Sequence, residues 1–103
     1  MTESKFEKGM EFRKKILGEA HVERSWKNAT DFDRDFQELI TETAWGSAWS
    51  RPGLDLKTRH MIVITVLTAL GRENELALHI NASHNSGITK DEMKQLLIQI
   101  ILT

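Results

Sequence analysis

The stretch from Leu54 to Gly87, LDLKTRHMIVITVLTALGRENELALHINASHNSG, decides how this chain folds. From Met61 to Leu70 every residue is apolar except Thr65 and Thr68. A helix apolar on all sides reads as a buried helix, and this run falls short of the ~20 residues that span a bilayer. Asp55 supplies a carboxylate that can accept from a first-turn N–H, as an N-cap does. Gly71 stands where a left-handed residue closes a helix. Glu73 to Ser86 is amphipathic instead, with Leu76, Ile80 and Ser83 on one stripe and Glu73, Asn74 and Asn81 away from it. His79 lies beside that stripe, one turn after Glu75, and Gly87 repeats the closing signal. A buried helix therefore hands over, through Gly71-Arg72, to a helix carrying a half-buried histidine.

Upstream, Lys5 to Leu17 fits a helix with Phe6, Met10, Ile16 and Leu17 on one face, closed by Gly18. Glu19 to Thr30 has no clear period and reads as a connection holding His21, Arg24 and Trp26. Thr30 or Asp31 can cap a helix running to about Trp49, in which Phe32, Phe36, Leu39, Ile40 and Thr43 follow the 3.6-residue period. Ser50-Arg51-Pro52-Gly53 ends it, since proline disfavours helix at the residue before it. Downstream, Thr89-Lys90-Asp91-Glu92 is a capping box for a last helix with Met93, Leu96, Leu97, Ile100 and Ile101 on one face. The expected fold is all-α, a compact domain of about five helices over residues 1–103.

Composition narrows the function. A chain of 103 residues suggests one domain. A net charge of −1 with no Lys/Arg run argues against a nucleic-acid binder, which needs a basic footprint. There is no cysteine, so thiolate metal sites, thiol redox chemistry and a cysteine nucleophile are excluded. The first residues, MTESKFEKGMEF, contain no apolar signal core, and the expected location is cytoplasmic, with no membrane partner. The four histidines lack familiar zinc-ligand spacings, so no metal is expected.

Several motifs together carry a family resemblance. They are GxxxRxxxLGxAHVxRS from Gly9 to Ser25, DFxxxFQELIT from Asp31 to Thr41, AWGxxWxRPGLDxKTR from Ala44 to Arg59, and LGRxxELxLHxxA from Leu70 to Ala82. With NSGITKDEMKQLLIQ from Asn85 to Gln99 they cover nearly the whole chain. The sequence resembles the carboxymuconolactone decarboxylase family, in its decarboxylase branch. The peroxidase-like branch carries a C-x-x-C pair at positions that fall on Arg72 and Glu75 here, so its redox activity is not expected. The resemblance implies an alkylhydroperoxidase D-like helical fold and assembly as a homo-oligomer, trimer or hexamer. It also implies a further helix beyond the last one, which this chain is expected to lack.

The implied reaction is cofactor-free decarboxylation of a small dicarboxylated lactone, 4-carboxymuconolactone, to 3-oxoadipate enol-lactone in protocatechuate breakdown. The conjugated lactone carbonyl takes up the electrons as a dienolate, so neither metal nor organic cofactor is required. The protein must anchor the carboxylate that stays, stabilise the oxyanion and protonate carbon. His79 is the first candidate proton donor, with Glu75 one turn earlier to orient or charge it. Its structural alternative is a hydrogen-bonded core histidine. Arg51 is the candidate anchor, because a guanidinium pairs bidentately with a carboxylate, and its alternative is a surface ion pair. His21, read as a loop residue, is a second binding candidate against a solvated side chain. Trp45 and Trp49 read as packing residues that line the pocket. His60 and His84 are weaker candidates. Two other readings stay open: a family member acting on another small acid or lactone, and a non-catalytic helical assembly module.

Overall fold

The computed structural model describes residues 3–103, and every regular element among them is helical. The chain forms two compact units that divide at Gly53 and Leu54, just after Pro52 interrupts the helical pattern. Each is described by itself.

The first unit holds α1 (Lys5–Leu17), α2 (Glu19–Lys27) and α3 (Arg34–Ile40), the last running on as a π-helix over Thr41–Trp49. Ser4 caps α1 by accepting from the Glu7 N–H at 3.0 Å. Gly18, at φ 92°, separates α1 from α2. The core is built from Ile16, Leu17, Val22, Trp45 and Trp49, with Thr41 wholly buried among them. At Gly9, in the middle of α1, a Cβ would collide with the carbonyl of Thr41, and at Gly46 it would collide with the carbonyl of Lys5. The two glycines let α1 and the π-helix approach backbone to backbone. The Phe6 and Trp26 rings meet edge to face at 5.8 Å, which joins α1 to α2.

Several expectations change here. Glu19–Lys27 is a helix, although Val22 is its sole buried residue. So little apolar burial leaves almost no period to read. The helix expected to be capped by Thr30 or Asp31 starts only at Arg34, because Thr30 and Asp33 bond each other across a turn that holds Phe32. Phe36, Leu39 and Ile40 share a face of α3, but they and Phe32 are exposed and α3 buries nothing. The helix expected to run on to Trp49 does so with π geometry from Thr41.

The second unit holds α4 (Leu56–Leu70), α5 (Glu73–Asn81), a single 3₁₀ turn (Ser83–Ser86) and α6 (Lys90–Ile101). Asp55 caps α4 through the Thr58 N–H at 2.7 Å. Gly71 ends it in the left-handed region, with Arg72 N–H bonding the Leu67 carbonyl and Gly71 N–H that of Thr68. This is the paired closing arrangement that a glycine makes possible. The Thr89–Glu92 capping box forms in both directions, and Lys57 reaches Glu92 at 3.0 Å to tie α4 to α6. The all-apolar helix is not buried all round. His60, Ile64 and Leu67 turn inward, whereas Ile62, Val66 and Leu70 are exposed. A unit this small covers only one stripe of a helix that could have been covered on every side. The amphipathic helix expected through Ser86 stops at Asn81, and the 3₁₀ turn takes its place.

Candidate active site: a buried histidine pair

The second unit places two histidines in its interior. His60 lies on the inward stripe of α4 and is fully buried, and His79 on α5 is 8 % exposed. The short Gly71-Arg72 link brings the two helices together, and His60 Nε2 lies 3.0 Å from His79 Nδ1. Their rings meet edge to face, with centroids 5.1 Å apart and planes at 79°. On its other side, His60 Nδ1 lies 2.7 Å from Ser86 Oγ.

Local backbone structure holds Ser86 in place. Gly87 is left-handed at φ 85°, the Ile88 N–H bonds the Ser83 carbonyl at 3.2 Å, and the Gly87 N–H bonds that of His84 at 3.1 Å. Ile88 is buried and anchors the turn. The Ser86 hydroxyl lies 2.9 Å from the Ser83 carbonyl. A carbonyl cannot donate, so that contact uses the single hydroxyl hydrogen of Ser86.

The proton positions follow by elimination. Ser86 Oγ, having donated to Ser83, accepts from His60 Nδ1–H. Neutral His60 therefore presents Nε2 as an acceptor, and His79 fills it with Nδ1–H. Nε2 is the ring nitrogen of His79 that this bond leaves unused. Burial, and after it the positive charge of His79, push the His60 pKa down to about 4. His60 is thus a neutral acceptor near pH 7, able to steady a charged His79 without adding a second charge. Because His60 donates to Ser86 rather than taking its proton, this is no serine–histidine nucleophile pair.

Glu75 pairs with Arg72 at 3.6 Å, and both side chains are more than half exposed. His60 is hydrogen-bonded to His79, and the Glu75 carboxylate turns to Arg72. His21 sits on α2, not in a loop, and is half-buried. Burial and the charges of Arg13 and Arg24 lower its pKa. Trp45 and Trp49 are buried and stack at 4.8 Å with an angle of 13° between planes. Arg51 is exposed just after the π-helix, its N–H bonded to the Ala48 carbonyl. His84 is exposed and bonds the Asn81 carbonyl through Nδ1. Among the described residues no three acidic or histidine side chains group as metal ligands would.

Sequence reasoning ranked His60 low and did not consider Ser86. The spacing puts His60 on one helix face with Ile64 and Leu67, but in a run apolar all round it does not mark that face as the inward one.

Comparison with known proteins gives a consistent picture. Residues 34–103 match the profile of the carboxymuconolactone decarboxylase family. The chain is 50% identical over 100 residues to the 4-carboxymuconolactone decarboxylase of Acinetobacter baylyi, spanning 97% of this chain and 75% of that protein. It is 41% identical over 93 residues to the nitrosuccinic acid decarboxylase npaB of Metarhizium robertsii, spanning 90% of this chain and 65% of that protein. A 4-carboxymuconolactone decarboxylase of Pseudomonas putida matches over 42 residues at 43% identity, which is 41% of this chain and 88% of that protein.

Proposed function

The chain belongs to the carboxymuconolactone decarboxylase family, and from that premise we propose that it is a carboxy-lyase converting 4-carboxymuconolactone to 3-oxoadipate enol-lactone in protocatechuate breakdown. Half-identity to a decarboxylase along 97% of the chain supports the reaction class. The observation that carries the mechanism is the hydrogen bond from His79 to a neutral, buried His60.

Cleavage of the bond to the departing carboxylate releases CO2 and leaves its electron pair on the lactone, where the conjugated carbonyl holds it as a dienolate. His79, protonated at both nitrogens, delivers the Nε2 proton to carbon and returns to the neutral form with Nδ1–H still bonded to His60. No hydrogen bond in the pair has to reverse during this transfer. The substrate's own carbonyl is the electron sink, so the reading needs no cofactor. Arg51 and His21 are the proposed carboxylate ligands. Trp45 and Trp49 are proposed to act on the substrate only through packing, and Glu75 is left without a catalytic task. The enzyme is proposed to work in the cytoplasm as a homo-oligomer, a state in keeping with the apolar stripes each chain exposes.

The test is incubation with 4-carboxymuconolactone, following loss of its absorbance and release of CO2. His79→Gln should lower kcat by about 10²–10⁴-fold, the range for losing a general acid, with an unchanged circular dichroism spectrum. Full activity in a folded His79→Gln protein would remove His79 from the mechanism. Turnover of nitrosuccinate in preference to the lactone would move the enzyme to another substrate of the family, a reading the fungal relative favours.

A further inference from the structure

One cation of the first unit is out of balance with its surroundings. Arg13, on α1, is half-buried. Its Nη1 donates to Gln37 Oε1 at 3.3 Å and to Thr41 Oγ1 at 3.2 Å. Both acceptors are neutral and fixed. Gln37 is oriented by its Nε2 donating to the Ser25 carbonyl at 2.8 Å, and the Thr41 hydroxyl donates to the Gln37 carbonyl at 2.7 Å. Arg13 Nε is buried and bonds to no acceptor. Among the described residues no carboxylate pairs with Arg13. The charges felt by the neighbouring His21 are positive as well, from Arg13 and Arg24.

Burying a guanidinium without a counter-charge is costly, and the cost is normally met by an anion. With Nη1 held by neutral acceptors and Nε covered by protein atoms, Nη2 is the guanidinium nitrogen left to meet a carboxylate, whose charge would balance the cation. We infer that Arg13 and His21 form a binding site for a small organic carboxylate in the first unit. That this carboxylate belongs to the substrate rests on the decarboxylase reading; the site itself does not. His21 is the lesser ligand, a protonatable partner whose charge is opposed by two arginines until the anion arrives.

Succinate is the probe, added to the full chain with dimethyl succinate and inorganic phosphate as controls at matched ionic strength. The readouts are the Arg13 Nε–H resonance and the titration of His21, both by NMR. Succinate should move the arginine resonance and raise the His21 pKa by about one unit, the size expected from a charge at contact distance. Dimethyl succinate should do neither. His21→Gln, which leaves the Arg13 contacts to Gln37 and Thr41 intact, should bind succinate about tenfold more weakly and lose the pH dependence of binding. Arg13→Lys keeps the charge but not the fork, and should lose binding more completely. No response of either resonance to succinate would overturn the site, as would an equal response to phosphate or the diester. The decarboxylase assay runs separately: succinate binding without lactone turnover would leave this site standing and sink only the proposed reaction.

Discussion

At His60, burial and a neighbouring imidazole act in one direction, and the consequence is measurable as stability. The folded pKa of about 4 lies below the ordinary 6.5. Between these values the unfolded imidazole carries a proton that the folded one does not. Stability should therefore fall as pH drops from 6.5 towards 4, by about 3 kcal/mol in all, and this contribution should be constant above that window. Urea unfolding across the pH range would show it. His60→Gln should flatten that slope, and an unchanged slope would place the titration elsewhere. Arg51 offers a second test at this scale. If it grips a carboxylate through its planar fork, Arg51→Lys should raise KM about tenfold, nearly as much as Arg51→Ala. Unchanged kinetics in both would return Arg51 to the surface. Glu75 shows what spacing cannot decide: one turn from His79 is near enough to interact, yet its carboxylate turns to Arg72.

Among the elements, the π-helix over Thr41–Trp49 has the clearest structural consequence. Its wider turn is reflected in Ser47 Oγ bonding the Glu42 carbonyl, five residues back, and it carries both stacked tryptophans. It packs on α1 through glycines, because the Thr41 carbonyl occupies the space a Cβ on Gly9 would need. In an exposed helix, glycine to alanine is stabilising by up to about 1 kcal/mol. Here the sign should reverse, with Gly9→Ala costing about 1–3 kcal/mol or more by overpacking. Thermal unfolding of the variant decides between the two signs. The capped elements were legible beforehand: Asp55, Gly71 and the Thr89–Glu92 box act where their chemistry placed them. The helical state of Glu19–Lys27 was not, since one buried valine makes no period.

For the whole molecule, the conspicuous feature is apolar surface left in contact with solvent. Phe32 is 85% exposed, and Phe36, Leu39 and Ile40 continue its stripe along α3. Ile62, Val66 and Leu70 form another on α4, and Ile101 and Leu102 lie exposed at the end of α6. In an isolated chain, Phe36→Asp would be a surface change worth no more than about 0.5 kcal/mol. In a homo-oligomer that covers α3 it would place a charge in an apolar interface. Sedimentation should then show dissociation, with a fall in activity if assembly supports catalysis. A variant with unchanged sedimentation would leave α3 outside any interface. The same substitution thus separates a solvated helix from a docked one.

The sequence by itself determined the helical class, the ends of α1 and α4, the start of α6 and the membership of a decarboxylase family. Those follow from local chemistry: caps, glycines, apolar runs and motifs whose meaning does not depend on what lies across the core. It also put His79 forward. Only tertiary structure decided that His79 bonds to His60, that Ser86 fixes the His60 tautomer, and that Arg13 is held by neutral acceptors. Each of these is a contact between residues far apart along the chain, set by which stripe of a helix turns inward. In a helix apolar all round, such as Met61 to Leu70, the sequence carries no preference for one stripe, and the choice is made by the neighbours that cover it.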